Sequence, residues 1–344
     1  MVTTHSNSHR RLSEFVDWIK PDPNMRGVIA TQAGGIRSAI SARAESDGLM
    51  ILGTPDSGSF AKHTGLRRHM RGGHEIEGQD IDLPFIVNPA TEDGKRINEL
   101  LNRFLRYARA CYPTTPSETT GSSVEMNFAA SKLKYDLVPM LKAPMPNYQV
   151  ILKKDGTRRL TSVTLHTEFV KKRTALSEQQ PGRVRFNECV RLLKWWRCIR
   201  LTDARTIDKV RTILIELMCA DAFDQLGVER TYTETLCRWF GYLANVTARR
   251  ATIRFGDYAS IEPVVESAVS NSLWWVGDPV NGTNNVVPAD WKNIELTEFA
   301  GWFAAARDAF QRIVAFEAQG NDVVVRQLLA DQFGSSILVE RAAA

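Results

Sequence analysis

The chain is poor in cysteine, and none of its five (Cys111, Cys189, Cys198, Cys219, Cys237) stands in a C-x-x-C pair. That spacing argues against a zinc site or a disulfide framework. No apolar run approaches the roughly 20 residues of a membrane span. The opening MVTTHSNSHRR has no apolar h-region and does not read as a signal peptide. A reducing cytoplasm is the expected location, without a membrane. There is neither an internal repeat nor a low-complexity tract, which sets aside repeat architectures.

What is present is an ordinary globular composition. The 344 residues are 43% hydrophobic and 24% charged, enough for one large domain or two lobes. The formal net charge of +5 is unevenly placed: basic residues crowd the middle of the chain, from Lys132 and Lys134 through Lys153, Arg158, Lys171, Arg173 and Arg191 to Lys194, Arg197 and Arg200. Such clustering suggests a polyanion, with phosphates the first candidate.

The chain has two textures. Over residues 1–165 short helices alternate with strands. SEFVDWIK reads as a helix stopped by Pro21 and Pro23, and IRSAISARAES as a second, after a turn at Gly34-Gly35. LMILG is a short strand, LRRHMRGGHEIEG a loop, EDGKRINELLNRFLRYARAC a helix, SSVEMNF and KLKYDLVPML a strand pair, and VILKKDGTRRLTSV a hairpin. Over residues 166–344 long helical patterns take over, including FNECVRLLKWWRCIR and one beginning at ARTIDKV. The fold class this implies is α+β: a mixed-sheet lobe followed by a helical lobe.

The stretch QDIDLPFIV carries two carboxylates in a strand. Positions two apart share a face roughly 6–7 Å apart, so Asp80 and Asp82 point the same way and repel unless a cation lies between them. In KLKYDLVPML, Asp136 lies opposite the apolar set Leu133, Tyr135 and Leu137. If the two strands are neighbours, three acidic side chains converge. Magnesium takes oxygen ligands and keeps sites for water and phosphate, and two such ions serve nucleotidyl transfer. Upstream, Gly58 and Ser59 in GTPDSGSFAKHTGLR stand where a strand turns into a helix, offering backbone N–H groups and a hydroxyl to an anion, with Thr64 as a second hydroxyl.

A Gly-Ser loop, then Asp-x-Asp on a strand, then a third Asp on a later strand resembles the DNA polymerase beta superfamily of nucleotidyltransferases. SGSFAKHTGLR, QDIDLPFIV, KLKYDLVPM, FNECVRLLKWWR, VGDPVNGTNNVV and QLLADQFGSSI together resemble one branch, the cGAS/DncV-like nucleotidyltransferases, which are oligonucleotide cyclases of CBASS antiphage systems. The resemblance implies a polymerase-beta-like core lobe over 1–165, an oligoadenylate-synthetase-like helical lobe over 166–344, and an active site in the cleft. It implies that Asp80, Asp82 and Asp136 bind magnesium (manganese as the alternative) and catalyse, and that Gly58 and Ser59 hold a nucleoside triphosphate. It implies, too, that Lys194 contacts its phosphates, with Arg191 one turn earlier on that face placed to assist. The expected product is a cyclic di- or trinucleotide. The expected partners are the triphosphates themselves and regulatory or effector proteins of a defence operon, with no nucleic acid required. The stretch between Ser59 and Asp80 is longer than usual in the family.

Blander readings stand beside these. Asp80 and Asp82 as exposed carboxylates of an edge strand, Gly58-Ser59 as a plain turn and Lys194 on a solvated helix face are the alternatives residue by residue. Trp195, Trp196, Trp239, Trp274 and Trp275 are read as core, and His63, His69 and His74 as loop histidines. The rival functions are nucleotide addition to RNA, tRNA or protein, which predicts salt-dependent RNA binding in the first case, and a non-catalytic nucleic-acid-binding protein.

Overall fold

The structure is a computed structural model. It describes the chain apart from residues 1–6, 68, 72–73, 78–79, 90–98, 259–263 and 340–344, and for residues 69–71, 74–77 and 80 the backbone alone. It divides into two compact units, residues 21–168 and residues 1–20 with 169–344. Helix α1 (Asn7–Trp18) therefore belongs with the C-terminal unit, not with the core lobe expected to span 1–165. Its apolar side, Leu12, Phe15 and Val16, is fully buried. Phe15 meets Trp195 edge to face at 5.6 Å and Phe333 at 5.7 Å. Burial of that face decides where the helix goes, and sequence adjacency does not.

In the unit 21–168 the elements are α2 (Pro23–Ser46), β1 (Ile51–Gly53), α3 (Gly58–Ala61), β2 (His69–Arg71), β3 (His74–Glu77) and β4 (Asp80–Val87). They are followed by α4 (Leu100–Cys111), β5 (Ser117–Thr119), β6 (Val124–Phe128), β7 (Leu133–Lys142), β8 (Gln149–Leu152) and β9 (Arg158–Thr161). Seven strands form one mixed sheet in the order β1-β4-β7-β6-β5, with β8 and β9 added beside β7. Strand β7 is its axis. It runs parallel to β4 along one side, and on the other pairs with β6 up to Leu137 and with β8 from Met140. Pro139 stands at that handover, where a missing N–H costs no ladder bond.

The main core lies between this sheet and helices α2 and α4. Helix α2 departs from expectation, since Pro23 opens it and Gly34-Gly35 does not interrupt it. Asp22 caps it by accepting from the Asn24 N–H at 2.9 Å, and proline suits the first helical position because its N–H would be orphaned there. Ile29, Ala33, Ile36, Ile40 and Ala44 form one buried stripe. Burying it outweighs the ~1 kcal/mol that each interior glycine costs. The segment expected as a loop before Asp80 holds a two-stranded antiparallel ribbon, β2 with β3. The expected helix from Glu92 is described only from Leu100 onward, and residues 92–98 lie outside the described residues.

Helix α5 (Val163–Glu178) carries the boundary between the units at Glu168. The second unit continues with α6 (Phe186–Thr202), α7 (Thr212–Leu226), α8 (Tyr232–Arg249), α9 (Glu266–Ser270), β10 (Gly277–Asp278), β11 (Asn281–Asn285), α10 (Asn293–Ala318) and α11 (Asp322–Phe333). Helix α10 lies along α8, and α6 packs on α7 and α11. Every residue of α6 from Phe186 to Ile199 is buried, as expected of a helix enclosed on all sides. Trp196 meets Phe240 at 5.0 Å and Phe303 at 4.9 Å, so the tryptophans of this helix are core. The helical pattern from Ala204 yields a helix only from Thr212. The Glu298 carboxylate of α10 accepts from the Arg205 and Thr206 N–H groups at 2.7 Å, and those amides are lost to a helix ladder.

Candidate active site

The site is built on the parallel pair β4 and β7. Their register sets Asp80 against Lys134, Asp82 against Asp136 and Phe85 against Pro139. The apolar partners on the other face, Ile81, Leu83, Tyr135 and Leu137, are buried in the main core, so that core turns the Asp82–Asp136 pair to the opposite face. Both carboxylates are half-buried, and β4 is flanked by β1 and β7, so for Asp82 the exposed-edge reading fails. The backbone of Asp80 stands two residues before Asp82 on the same strand, while its side chain lies outside the described residues. Among the described residues no three His, Cys, Asp or Glu side chains form a metal cluster.

Helix α3 is a single turn of four residues, too short to carry an anion-holding macrodipole. What the loop provides is close backbone approach. Gly58 has φ +68°, and a Cβ placed on it would lie 2.4 Å from Asp82 Oδ2. Only glycine brings the main chain this near the carboxylate. Behind it the Ser59 carbonyl accepts from the Thr64 and Gly65 N–H groups at 2.9 and 3.0 Å. Thr64 is fully buried, so it braces the loop from behind and offers no exposed hydroxyl. Ser59 is half-buried.

Sequence reasoning missed three residues around Asp136. Ser123 donates from its Oγ to Asp136 Oδ1 at 2.6 Å. Thr120 Oγ1 lies 2.6 Å from the same Ser123 oxygen. Glu125, held by Asn127 Nδ2 at 2.7 Å, stands directly across from Asp136 in the β6–β7 register. Burial pushes the Asp136 carboxyl above the usual carboxylate range; the Ser123 bond and Lys134 oppose this and Glu125 adds to it. Alternation in SSVEMNF was the available signal, for Glu125 shares a parity with Ser123 on a strand next to Asp136.

Lys194 and Arg191 lie in the other unit, one turn apart on α6, and are 3% and 4% exposed. The solvated-face reading of Lys194 therefore fails. An Arg191 guanidinium nitrogen is 4.0 Å from Glu188, and Glu188 in turn accepts from the Tyr232 hydroxyl at 2.5 Å. The DPVNGTNN stretch of the same unit is held by its own hydrogen bonds. Asp278 accepts from the Val280 N–H and from Asn284 Nδ2, both at 2.9 Å, and Asn285 ties Val276 to Trp274.

A mixed sheet with paired carboxylates on adjacent strands, one of them touched by a glycine-serine turn, is the polymerase-beta-like nucleotidyltransferase architecture. Residues 7–173 match the Second Messenger Oligonucleotide or Dinucleotide Synthetase domain. The chain is 29% identical to the cyclic AMP-AMP-AMP synthase of Escherichia coli MS 115-1 over 67% of each protein. It superposes on the structure of E. coli MS115-1 CdnC with ATP at a TM-score of 0.74 and 25% identity, covering 96% of this chain and 98% of that one. The complex of that CdnC with a HORMA protein gives the same TM-score of 0.74 at 24% identity, over 97% and 99%. Residues 7–173 thus carry a domain of that synthetase family, and the chain as a whole is similar to the cGAS/DncV-like nucleotidyltransferases, the cyclic oligonucleotide synthases.

Proposed function

We propose that this chain joins nucleoside triphosphates into a cyclic di- or trinucleotide second messenger for antiphage defence. The observation that carries the reading is the in-register Asp82–Asp136 pair with the Gly58 backbone against the Asp82 carboxylate. An all-oxygen donor set on two rigid strands suits a hard cation, so Asp82, Asp136 and the preceding Asp80 are the residues that would hold magnesium. Magnesium, when bound, supplies Lewis-acid neutralisation of the triphosphate and eases ionisation of the attacking hydroxyl.

The protein's own part is positioning. Gly58 lets the main chain approach the donor triphosphate, and the Ser59 hydroxyl donates to a phosphate oxygen. Lys194, with Arg191, supplies positive charge to the donor phosphates. Asp136 orients the acceptor ribose and helps activate its 2′- or 3′-hydroxyl. That oxygen attacks the α-phosphorus in line, the bond to the β-phosphate breaks, and pyrophosphate leaves with the electron pair. A second transfer closes the ring. That CdnC is seen in complex with a HORMA protein supports a protein partner for this chain, and the expected compartment is the cytoplasm.

The test is incubation with all four labelled triphosphates and magnesium, followed by phosphatase. A resistant product that is absent with the Asp80→Ala/Asp82→Ala protein is the expected result, and omitting each triphosphate in turn names the bases. Undiminished product from that double variant refutes the mechanism.

A further inference from the structure

The turn between β5 and β6, residues 120–123, reads TGSS and ends against Asp136. It is closed by the Thr120 N–H to the Ser123 carbonyl at 2.9 Å and by the two hydroxyls at 2.6 Å, with longer contacts of 3.3 Å from the Ser123 N–H to Thr120 Oγ1 and from Thr120 Oγ1 to the Ser123 carbonyl. From outside, the Lys154 N–H donates to the Gly121 carbonyl at 2.7 Å and ties the turn to the β8–β9 hairpin. Ser123 is 7% exposed. Its hydroxyl has one proton, and that proton goes to Asp136 Oδ1. The short contact with Thr120 is then made by Thr120 as donor. The chain of bonds therefore runs in one direction, Thr120 to Ser123 to Asp136, and each hydroxyl is oriented by the next.

We infer that Ser123, itself oriented by Thr120, is the positioning residue of Asp136: its bond to Oδ1 sets the plane of the carboxylate and leaves the other oxygen for the metal and the acceptor hydroxyl. The inference rests on the reading of Asp136 as a metal-binding acid. The other charged neighbours of Asp136 are poorly placed for this. Asp82, directly across in the β4–β7 register, and Glu125, across the β6–β7 ladder, both repel the carboxylate, and Lys134 stands two residues back on the same strand.

The experiment measures Mn2+ binding by electron paramagnetic resonance in the presence of a non-hydrolysable ATP analogue, with pyrophosphate release and thermal unfolding measured on the same preparations. The proteins are wild type, Asp136→Asn, Ser123→Ala, Ser123→Thr and Thr120→Val. Loss of a residue that orients a metal ligand costs about 10–100-fold in metal affinity or activity. Ser123→Ala is expected to weaken Mn2+ binding about 10-fold and to lower kcat with little change in the KM for ATP, with an unfolding temperature close to wild type. Thr120→Val is expected to show a smaller loss of the same kind, and Ser123→Thr to restore both readouts. Mn2+ binding that is weakened in Asp136→Asn but unchanged in Ser123→Ala overturns the inference and leaves the metal reading intact. Unchanged Mn2+ binding in Asp136→Asn overturns both.

Discussion

Replacing Gly58 by alanine separates what the loop does for the fold from what it does for the site. At φ +68° an L side chain costs about 1–2 kcal/mol. For a domain of this size that lowers the melting temperature by about 2–4 °C per kcal/mol. The new Cβ would lie 2.4 Å from Asp82 Oδ2, with the Asp82 Cγ at 3.3 Å. The obstructing atom is the tip of a side chain able to turn away, so the clash adds little to the loss of stability and moves the carboxylate instead. A displacement of about 1 Å at a reacting centre costs on the order of 100-fold in rate. The expected result is a protein that melts only a few degrees lower yet makes product at about 1% of the wild-type rate. Gly35→Ala is the control. It lies inside α2, where an added Cβ would meet nothing within 4 Å, and should gain about 0.5–1 kcal/mol with unchanged turnover. Scanning calorimetry and pyrophosphate release read both. Wild-type turnover in Gly58→Ala would refute the argument that the bare backbone is what the site needs there.

The helical unit offers two further checks. Asp278→Ala leaves the Val280 N–H and the Asn284 amide without their acceptor in a buried setting. It should cost about 1–3 kcal/mol in urea unfolding and leave the KM for ATP unchanged. Arg173 binds Asp224 and Asp257 together beneath the Phe169 ring. Burial opposes ionisation of Asp257, but the bonds from Arg173 and Lys172 win and hold its carboxyl below the usual range. A carboxyl whose folded pKa is depressed adds stability above its unfolded value of about 3.9 and loses it as the pH falls through the folded value. The urea midpoints of wild type and Asp257→Asn should therefore differ by a constant amount above about pH 5 and converge below about pH 4. A gap that widens on acidification contradicts the assigned sign.

Local pattern carries a good deal of this molecule. The strands of QDIDLPFIV and KLKYDLVPML, the Asp155-Gly156 hairpin and the buried tryptophans of α6 all follow from alternation or helical spacing. Pattern misleads where a local signal competes with a distant surface. Gly34-Gly35 has the look of a turn, but a stripe of five buried residues carries the helix through it. Residues 204–211 have a helical pattern, yet Glu298 takes two of their amides. LRRHMRGGHEIEG has the look of a loop, yet its backbone pairs β2 with β3.

By itself the sequence determined which chemistry was available: acids two apart on a strand, a third acid on a later strand, a glycine-serine turn upstream, and a basic middle. The tertiary structure alone decided that β4 and β7 are parallel neighbours in a register that sets Asp82 beside Asp136. It alone brought Gly58 against Asp82 and Ser123 against Asp136, and moved α1 into the C-terminal unit. The reason is that alternation states which face a side chain occupies, whereas register and partner depend on burying surfaces contributed by segments far apart in the chain.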